Sequence, residues 1–153
     1  MSLRLEWLAD HLQHSDTYAA WIHRQFHYEY AEQPLAEWQR EFAEGQTNGD
    51  WRCLIALDGD RLLGGAALAR ADLALRPDLG PWLACVLVSP ESRGQGLAAR
   101  LIEGIAEEAK KRGLPRFYLH TQSKQDYYAK RGWTVLERFH AWGNEQWLMV
   151  RDL

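Results

Sequence analysis

The chain has 153 residues, 46% of them hydrophobic and 25% charged, with a formal net charge of -3. That is the size and composition of one globular domain, and a pI near 6.1 argues against a general nucleic-acid-binding surface. No apolar run approaches the ~20 residues that a membrane span needs, and the charged start Leu3-Arg4-Leu5-Glu6 holds no signal-peptide core, so a cytoplasmic protein without a membrane partner is expected.

Leu3, Leu5 and Trp7 alternate with Arg4 and Glu6 and predict a short first strand. Ser15-Asp16 is placed to cap a helix that buries Tyr18, Trp21, Ile22 and Phe26 and frays near Glu29-Tyr30. Pro34 suits the first turn of a second, short helix with Leu35, Trp38 and Phe42 on one face, and Gly45 to Gly49 reads as a loop. The apolar runs 51–57 and 62–68 flank Asp58-Gly59-Asp60, a hairpin signal. Gly64-Gly65 in the second run marks a bulge or a close approach by a neighbour. Residues 70–80, with Pro77, form a connection with room for one helical turn.

Trp82 to Val88 is apolar on both faces and predicts a central strand. From Gly94 to about Arg112 a helix carries Leu97, Ala98, Leu101, Ile102, Ile105, Ala106 and Ala109 as one stripe, closed by Gly113 and Pro115. A strand follows at 116–120. Because a helical crossover precedes it, it should lie parallel to 82–88. A short helix around 124–130 and strands at 133–139 and 146–150, with a loop at 141–145, end the chain. The order β-α-α-β-β-β-α-β-α-β-β is that of a single α+β domain with a central mixed sheet flanked by helices.

Cys53 and Cys85 sit in strand-like runs without metal-ligand spacing, as buried free thiols would. His23 and His27 stand at i, i+4, but two ligands alone rarely hold a metal, and none is expected. The eight tryptophans serve either as core anchors or as walls of an aromatic pocket. Residues 1–50 hold nine acids against three bases, whereas 93–131 hold nine bases against four acids. Solvated helix faces account for that split; so does an anionic cofactor held by the C-terminal half and a cationic acceptor met by the N-terminal half.

The stretch from Val86 to Ile102 places Gly94 and Gly96 between a strand and a helix. Uncommitted N–H groups at a helix start, with glycines that admit close approach, favour an anion such as phosphate. A tight turn would use the same pair. A dinucleotide turn would need a third glycine where Ala99 stands and an acid where the next strand ends at His120-Thr121, and no phosphate loop of the Gly-x4-Gly-Lys-Ser/Thr kind is present.

Arg93-Gly94-Gln95-Gly96-Leu97-Ala98 resembles the acetyl-CoA signature Gln/Arg-x-x-Gly-x-Gly/Ala of the GCN5-related N-acetyltransferase (GNAT) family. Asp126-Tyr127-Tyr128-Ala129-Lys130-Arg131-Gly132-Trp133 is similar to that family's aromatic-Tyr-x-x-x-Gly-aromatic segment, in the family's order and separation. The resemblance implies a fold in which the 82–88 and 116–120 strands splay apart. Acetyl-CoA would enter as cosubstrate, its pyrophosphate on the backbone of Arg93, Gly94, Gln95, Gly96, Leu97, Ala98 and Ala99. Its pantetheine arm would lie along Val86, Leu87 and Val88, and Thr121 stands where many relatives place an asparagine against that arm. Tyr128 would be the acid that protonates the departing thiolate.

The resemblance further implies an acceptor pocket formed by residues 27–33, 82–83 and 140–145. There Tyr28, Glu29, Tyr30, Trp82 and Trp142, with Glu32 and Glu145, would suit a cationic amine with apolar parts. Relatives that place a glutamate base twelve residues before the tyrosine differ from this chain, which has Arg116. His120, at a strand end near the cleft, is the candidate base, and Glu29 a second. The implied reaction is acetyl transfer to a primary amine by direct attack in a ternary complex, the acceptor being a small amine or a peptide. Transfer of another acyl group, a non-catalytic acyl-CoA-binding module and a homodimer stay open.

Overall fold

Period-two patterning decides which helix covers which face of the sheet. In β2 (Trp51–Asp58), Leu54 and Ala56 point to one side and Cys53, Ile55 and Leu57 to the other. The first side is covered by α3 (Leu97–Lys111), through Leu97, Leu101, Ile102, Ile105, Ala106 and Ala109. The second is covered by α1 (Ser15–Phe26) and α2 (Leu35–Asn48), through Tyr18, Ala19, Ile22, Trp38 and Phe42. Leu101 and Ile105 are completely buried; each such side chain contributes roughly 1.5–3 kcal/mol of transfer free energy.

This is a computed structural model that describes residues 3–30 and 32–153; Ala31, inside the segment 27–33 expected on the acceptor side, lies outside the described residues. The remaining elements are β1 (Leu3–Trp7), β3 (Arg61–Ala69), β4 (Trp82–Val88), β5 (Arg116–Thr121), α4 (Gln125–Ala129), β6 (Thr134–Ala141) and β7 (Asn144–Asp152). Together they give the expected α+β order, and the sheet runs β1-β2-β3-β4-β5-β7-β6. β4 and β5 are parallel, as the helical crossover requires, while the other neighbours are antiparallel. No described helix is long and apolar enough to cross a membrane.

Several boundaries differ from the expectation for identifiable reasons. Gly45 is not in a loop: α2 continues to Asn48 and ends on Gly49 at φ 83. A Cβ on Gly45 would come within 3.0 Å of the Trp51 side chain, so this glycine marks the close approach of α2 to β2. α3 begins at Leu97 rather than Gly94, because Gly94 and Gly96 hold left-handed φ values of 78 and 75. Ser15 is the first residue of α1, which has His14 at its N-cap; Trp21 and Phe26 are half-buried, and residues 70–80 carry turns without a helical segment. β4 is not buried throughout, since Cys85, Val86 and Leu87 are half-exposed.

That exposure follows from a single distortion. Between the pairs Gly65↔Leu87 and Ala67↔Ala84 the two strands fall out of register, so Cys85 and Val86 together oppose Ala66 as a bulge. Cys85 adopts φ 57, uncommon for a residue with a side chain. The Tyr18 hydroxyl, from the helix below, donates to the Cys85 carbonyl and holds it there. The Tyr18 ring in turn needs Gly65, where a Cβ would lie 2.7 Å from Cζ. The expectation that Gly64-Gly65 marks a bulge or a close approach is met on both counts.

Candidate active site

β4 and β5 pair at Trp82↔Tyr118 and diverge beyond it. The gap opens into a cleft of about 1390 Å³, larger than the roughly 300–1,000 Å³ of a single small-ligand pocket. One end is walled by Val86, Leu87, Val88, Arg93, Gly94, Ala98, Thr121, Tyr127 and Tyr128, and the other by Tyr28, Glu29, Tyr30, Glu32, Glu37, Glu41, Asp72 and His120. Part of each group assigned from sequence to a cofactor and to an acceptor therefore shares one space, whereas Gln95, Gly96, Leu97, Ala99, Trp82 and Trp142 are not among its walls.

At the first end the chain offers main chain. α3 has no side-chain N-cap among the described residues and no acid in its first turn, which leaves its leading N–H groups and its positive end uncommitted. Ideal Cβ atoms on Gly94 and Gly96 would meet nothing within 4 Å, so the turn stands open where an anion would approach. Gln95 is exposed beside them, Ala99 is half-buried and the Leu97 side chain is sunk in the core; Leu97 could reach a ligand by its backbone. The Arg93 Nε donates to the Val88 carbonyl at 3.1 Å, tying the turn to the strand end. This end fits the pyrophosphate and pantetheine of coenzyme A. The Thr121 hydroxyl accepts from Lys124 N at 3.1 Å and so caps the approach to α4 while lining the cleft.

Tyr128 enters from α4 with Trp133 edge-on to its ring at 6.0 Å. Burial, with a smaller contribution from Tyr127, pushes its phenol up to about 12, so it stays protonated across the working range. Tyr127 also lines the cleft, with the Arg131 guanidinium 3.6 Å above its ring.

At the other end the chain offers side chains. The side chain of His120, near the end of β5, is 5% exposed, and its Nε2 lies 3.1 Å from Asp72 Oδ2 and 3.8 Å from Glu29 Oε1. Trp142, at φ 54 in the turn between β6 and β7, lies tilted over His120 at 5.7 Å and packs edge-on at 6.0 Å against Tyr28. Tyr30 donates to the Asp72 carbonyl at 3.1 Å and so ties the connection after β3 to the turn after α1. Burial disfavours a charge on His120, but Asp72 and then Glu29 more than offset it, and the net shift is upward. Glu29 is raised to about 7, by burial first, with His120 opposing and Asp72 adding. Burial and Glu29 raise Tyr28 to about 12.

Trp82 does not wall the acceptor space. It is fully buried, its Nε1 donates to the Leu79 carbonyl at 3.0 Å, and it supports His120 from beneath at 6.1 Å. Glu145, also placed on the acceptor side, is instead paired with Arg138 on the outer hairpin. Cys53 is a buried free thiol, whereas Cys85 is half-exposed in the bulge. Asp72 carried no signal in the sequence; it lies in an irregular connection and acquires meaning from what it meets in space. Among the described residues no group of three or more His, Cys, Asp or Glu is placed to hold a metal ion.

The family model described as the acetyltransferase (GNAT) family matches residues 15–133. N-alpha-acetyltransferase 30 of Schizosaccharomyces pombe is 28% identical over 90 residues, 56% of this chain and 59% of that protein, so the match spans less than two thirds of that relative's length. Among solved structures, an aminoglycoside 6'-N-acetyltransferase complexed with coenzyme A superposes with a TM-score of 0.76 at 16% identity, over 99% of this chain and 97% of that one. The PaiA N-acetyltransferase of Thermoplasma acidophilum, in complex with coenzyme A, gives 0.70 at 19% identity over 100% of both.

Proposed function

The chain belongs to the acetyltransferase (GNAT) family, with acetyl-CoA as cosubstrate, and on that footing we propose that it acetylates a primary amine that is cationic and partly apolar. One observation carries the reading: a single cleft joins an open, glycine-lined helix start to a cluster of carboxylates around His120. The acceptor's ammonium is attracted to Glu29, Asp72 and the outer Glu32, Glu37 and Glu41, while Tyr28, Tyr30 and Trp38 offer apolar and cation–π surface, with Trp142 packed behind Tyr28. The lining cations Arg93 and Lys124 belong to the β4–α3 turn and to the approach to α4, where phosphates would lie.

The backbone of Val86, Leu87 and Val88 lies beyond the last β4–β5 pair and would hold the pantetheine arm as an added strand. Gly94, Gln95, Gly96, Leu97, Ala98 and Ala99 would meet the pyrophosphate through main-chain N–H groups. Acetyl-CoA supplies an activated acetyl group whose transfer leaves a thiol. A free amine attacks the carbonyl directly, since among the described residues no cysteine or serine is activated by a neighbouring base; the Cys85 thiol is instead pushed up by burial. Tyr128 holds the proton that the sulfur needs. Its high pKa makes transfer to a solvated thiolate uphill, but a thiolate forming in the same buried space is itself harder to stabilise and takes the proton more readily.

Thiol release from acetyl-CoA across pools of amines and peptides tests this reading, with Tyr128→Phe as the comparison. Release should require an amine, favour cationic acceptors, and fall ~10²-fold or more in the variant while coenzyme A still binds. Turnover of anionic or neutral acceptors alone would remove the cationic-acceptor assignment. Tight coenzyme A binding without release in any pool would make the chain an acyl-CoA-binding module instead.

A further inference from the structure

Resting on the N-acetyltransferase reading above, we propose that Glu29 is the base that takes the acceptor's proton, and that the buried His120–Asp72 pair positions and tunes it. The geometry separates these roles. Asp72 sits 3.1 Å from His120 Nε2, and Trp82 and Trp142 pack against the ring. The imidazole is thereby engaged with a carboxylate and enclosed, so it is poorly placed to take a proton from a mobile ligand. Glu29 comes from a different element, the single turn His27–Tyr30 after α1. It reaches the same point from the opposite wall and lines the cleft with one oxygen 3.8 Å from the imidazole.

The groups facing Glu29 come from every wall around it. Tyr28 and Tyr30 lie on its own turn, Asp72 in the connection after β3, Cys85 on β4 and His120 on β5, with Glu41 of α2 acting on Tyr30 behind it. Asp72 favours the cationic form of His120, and the imidazolium in turn opposes the upward push that burial gives Glu29. A carboxylate held near 7 is a stronger base than an exposed glutamate and is still ionised in half the molecules at neutral pH. The proton balance is simple. An ammonium acceptor gives one proton to a Glu29 oxygen, the C–N bond forms as the C–S bond breaks, and the proton Tyr128 gives to sulfur is returned by the acylated nitrogen. One proton per turnover leaves to solvent through Glu29.

The pH dependence of kcat/KM, measured on the full chain with two turned-over amines of different basicity, tests the proposal. A rising limb near pH 7 for both amines is expected; a limb that follows each amine's own pKa would show that the free amine binds and would overturn it. Glu29→Gln should lose the limb and fall ~10²-fold or more with alkylamines, yet recover to within a few-fold of the parent with trifluoroethylamine, which needs no deprotonation. Failure of that rescue in a variant that keeps its acetyl-CoA KM would also overturn it. His120→Gln removes the group that opposes the upward push on Glu29 and shifts the limb to higher pH. Asp72→Asn removes a carboxylate that raises Glu29 but also the partner that favours the imidazolium, so the two effects oppose and the limb should move less than in His120→Gln, with a reduced plateau. Lowered plateaus without shifts would reduce the pair to packing. No turnover of any amine by the parent chain would instead sink the underlying acetyltransferase reading.

Discussion

At the end of the cleft proposed for the cofactor the chain offers main chain, and nearly all of it comes from one continuous stretch, 86–99. At the end proposed for the acceptor it offers side chains, and Glu29, Asp72, His120 and Trp142 arrive from the turn after α1, the connection after β3, the end of β5 and the β6–β7 turn. A backbone site needs particular φ values and open space, which glycines supply locally. A side-chain site needs a juxtaposition that the whole fold supplies. The first kind tolerates changes of side chain that keep the backbone and fails when a Cβ forces a new φ. The second behaves in the opposite way.

The largest expected effect breaks the shared support beneath both ends. Gly65→Val would set a Cβ 2.7 Å from the Tyr18 ring, and a buried ring cannot retreat without disturbing the Cys85 bulge. Overpacking of this kind costs about 1–3 kcal/mol or more. A lowered denaturation midpoint should accompany a loss of both acetyl-CoA binding and turnover. Tyr18→Phe is the milder version. It removes the donor to the Cys85 carbonyl at a cost of about 1–3 kcal/mol, and the midpoint should fall while the acetyl-CoA KM rises, because β4 is then free to straighten.

The sequence showed these two ends unequally, and the reason is physical. Gly94 and Gly96 are adjacent to Arg93 and to the start of α3, so the candidate anion site is written as one word; the spacing of Tyr128 to Gly132 and Trp133 singles out a residue that lines the cleft in the same way. The layers too were legible, because burial alternates with strand and helix periods, as in Leu54 and Ala56 against Cys53 and Ile55. Gly45 was misleading because a glycine demanded by the Trp51 side chain looks the same as one demanded by a turn. Trp82 was misplaced because an apolar residue beside a cleft and one beneath it share the same pattern. Asp72 was invisible, since its role begins 3.1 Å from a residue on another element.

Gly96→Val sharpens the comparison from the main-chain side. The residue sits at φ 75 with empty space around an added Cβ, so the penalty comes from the backbone alone, about 1–2 kcal/mol for a left-handed residue bearing a side chain. The turn would relieve that strain by rotating its N–H groups away from the anion site. The acetyl-CoA KM should rise by roughly tenfold, the equivalent of ~1.4 kcal/mol, with the acceptor's KM unchanged. A rise in both would mean that the two ends are coupled more tightly than their separate construction suggests.

Glu41→Gln probes the side-chain end at its rim, where the smallest effect is expected. Glu41 accepts from Gln33 Nε2 at 2.9 Å and lines the cleft outside the His120 cluster, so glutamine removes a charge and leaves the shape. A partly solvated charge contributes about 0.2–1 kcal/mol, which limits the change in KM to a few-fold. It should appear with acceptors carrying a second cation and be absent with singly charged amines. In 1 M salt, where the screening length falls to ~3 Å, it should vanish. Glu37 is a poorer probe, because Arg40 at 3.8 Å already compensates it. A salt-sensitive preference for doubly charged amines that disappears in Glu41→Gln would locate the second charge of the acceptor on α2; an equal loss for every amine would place Glu41 in the packing of the wall.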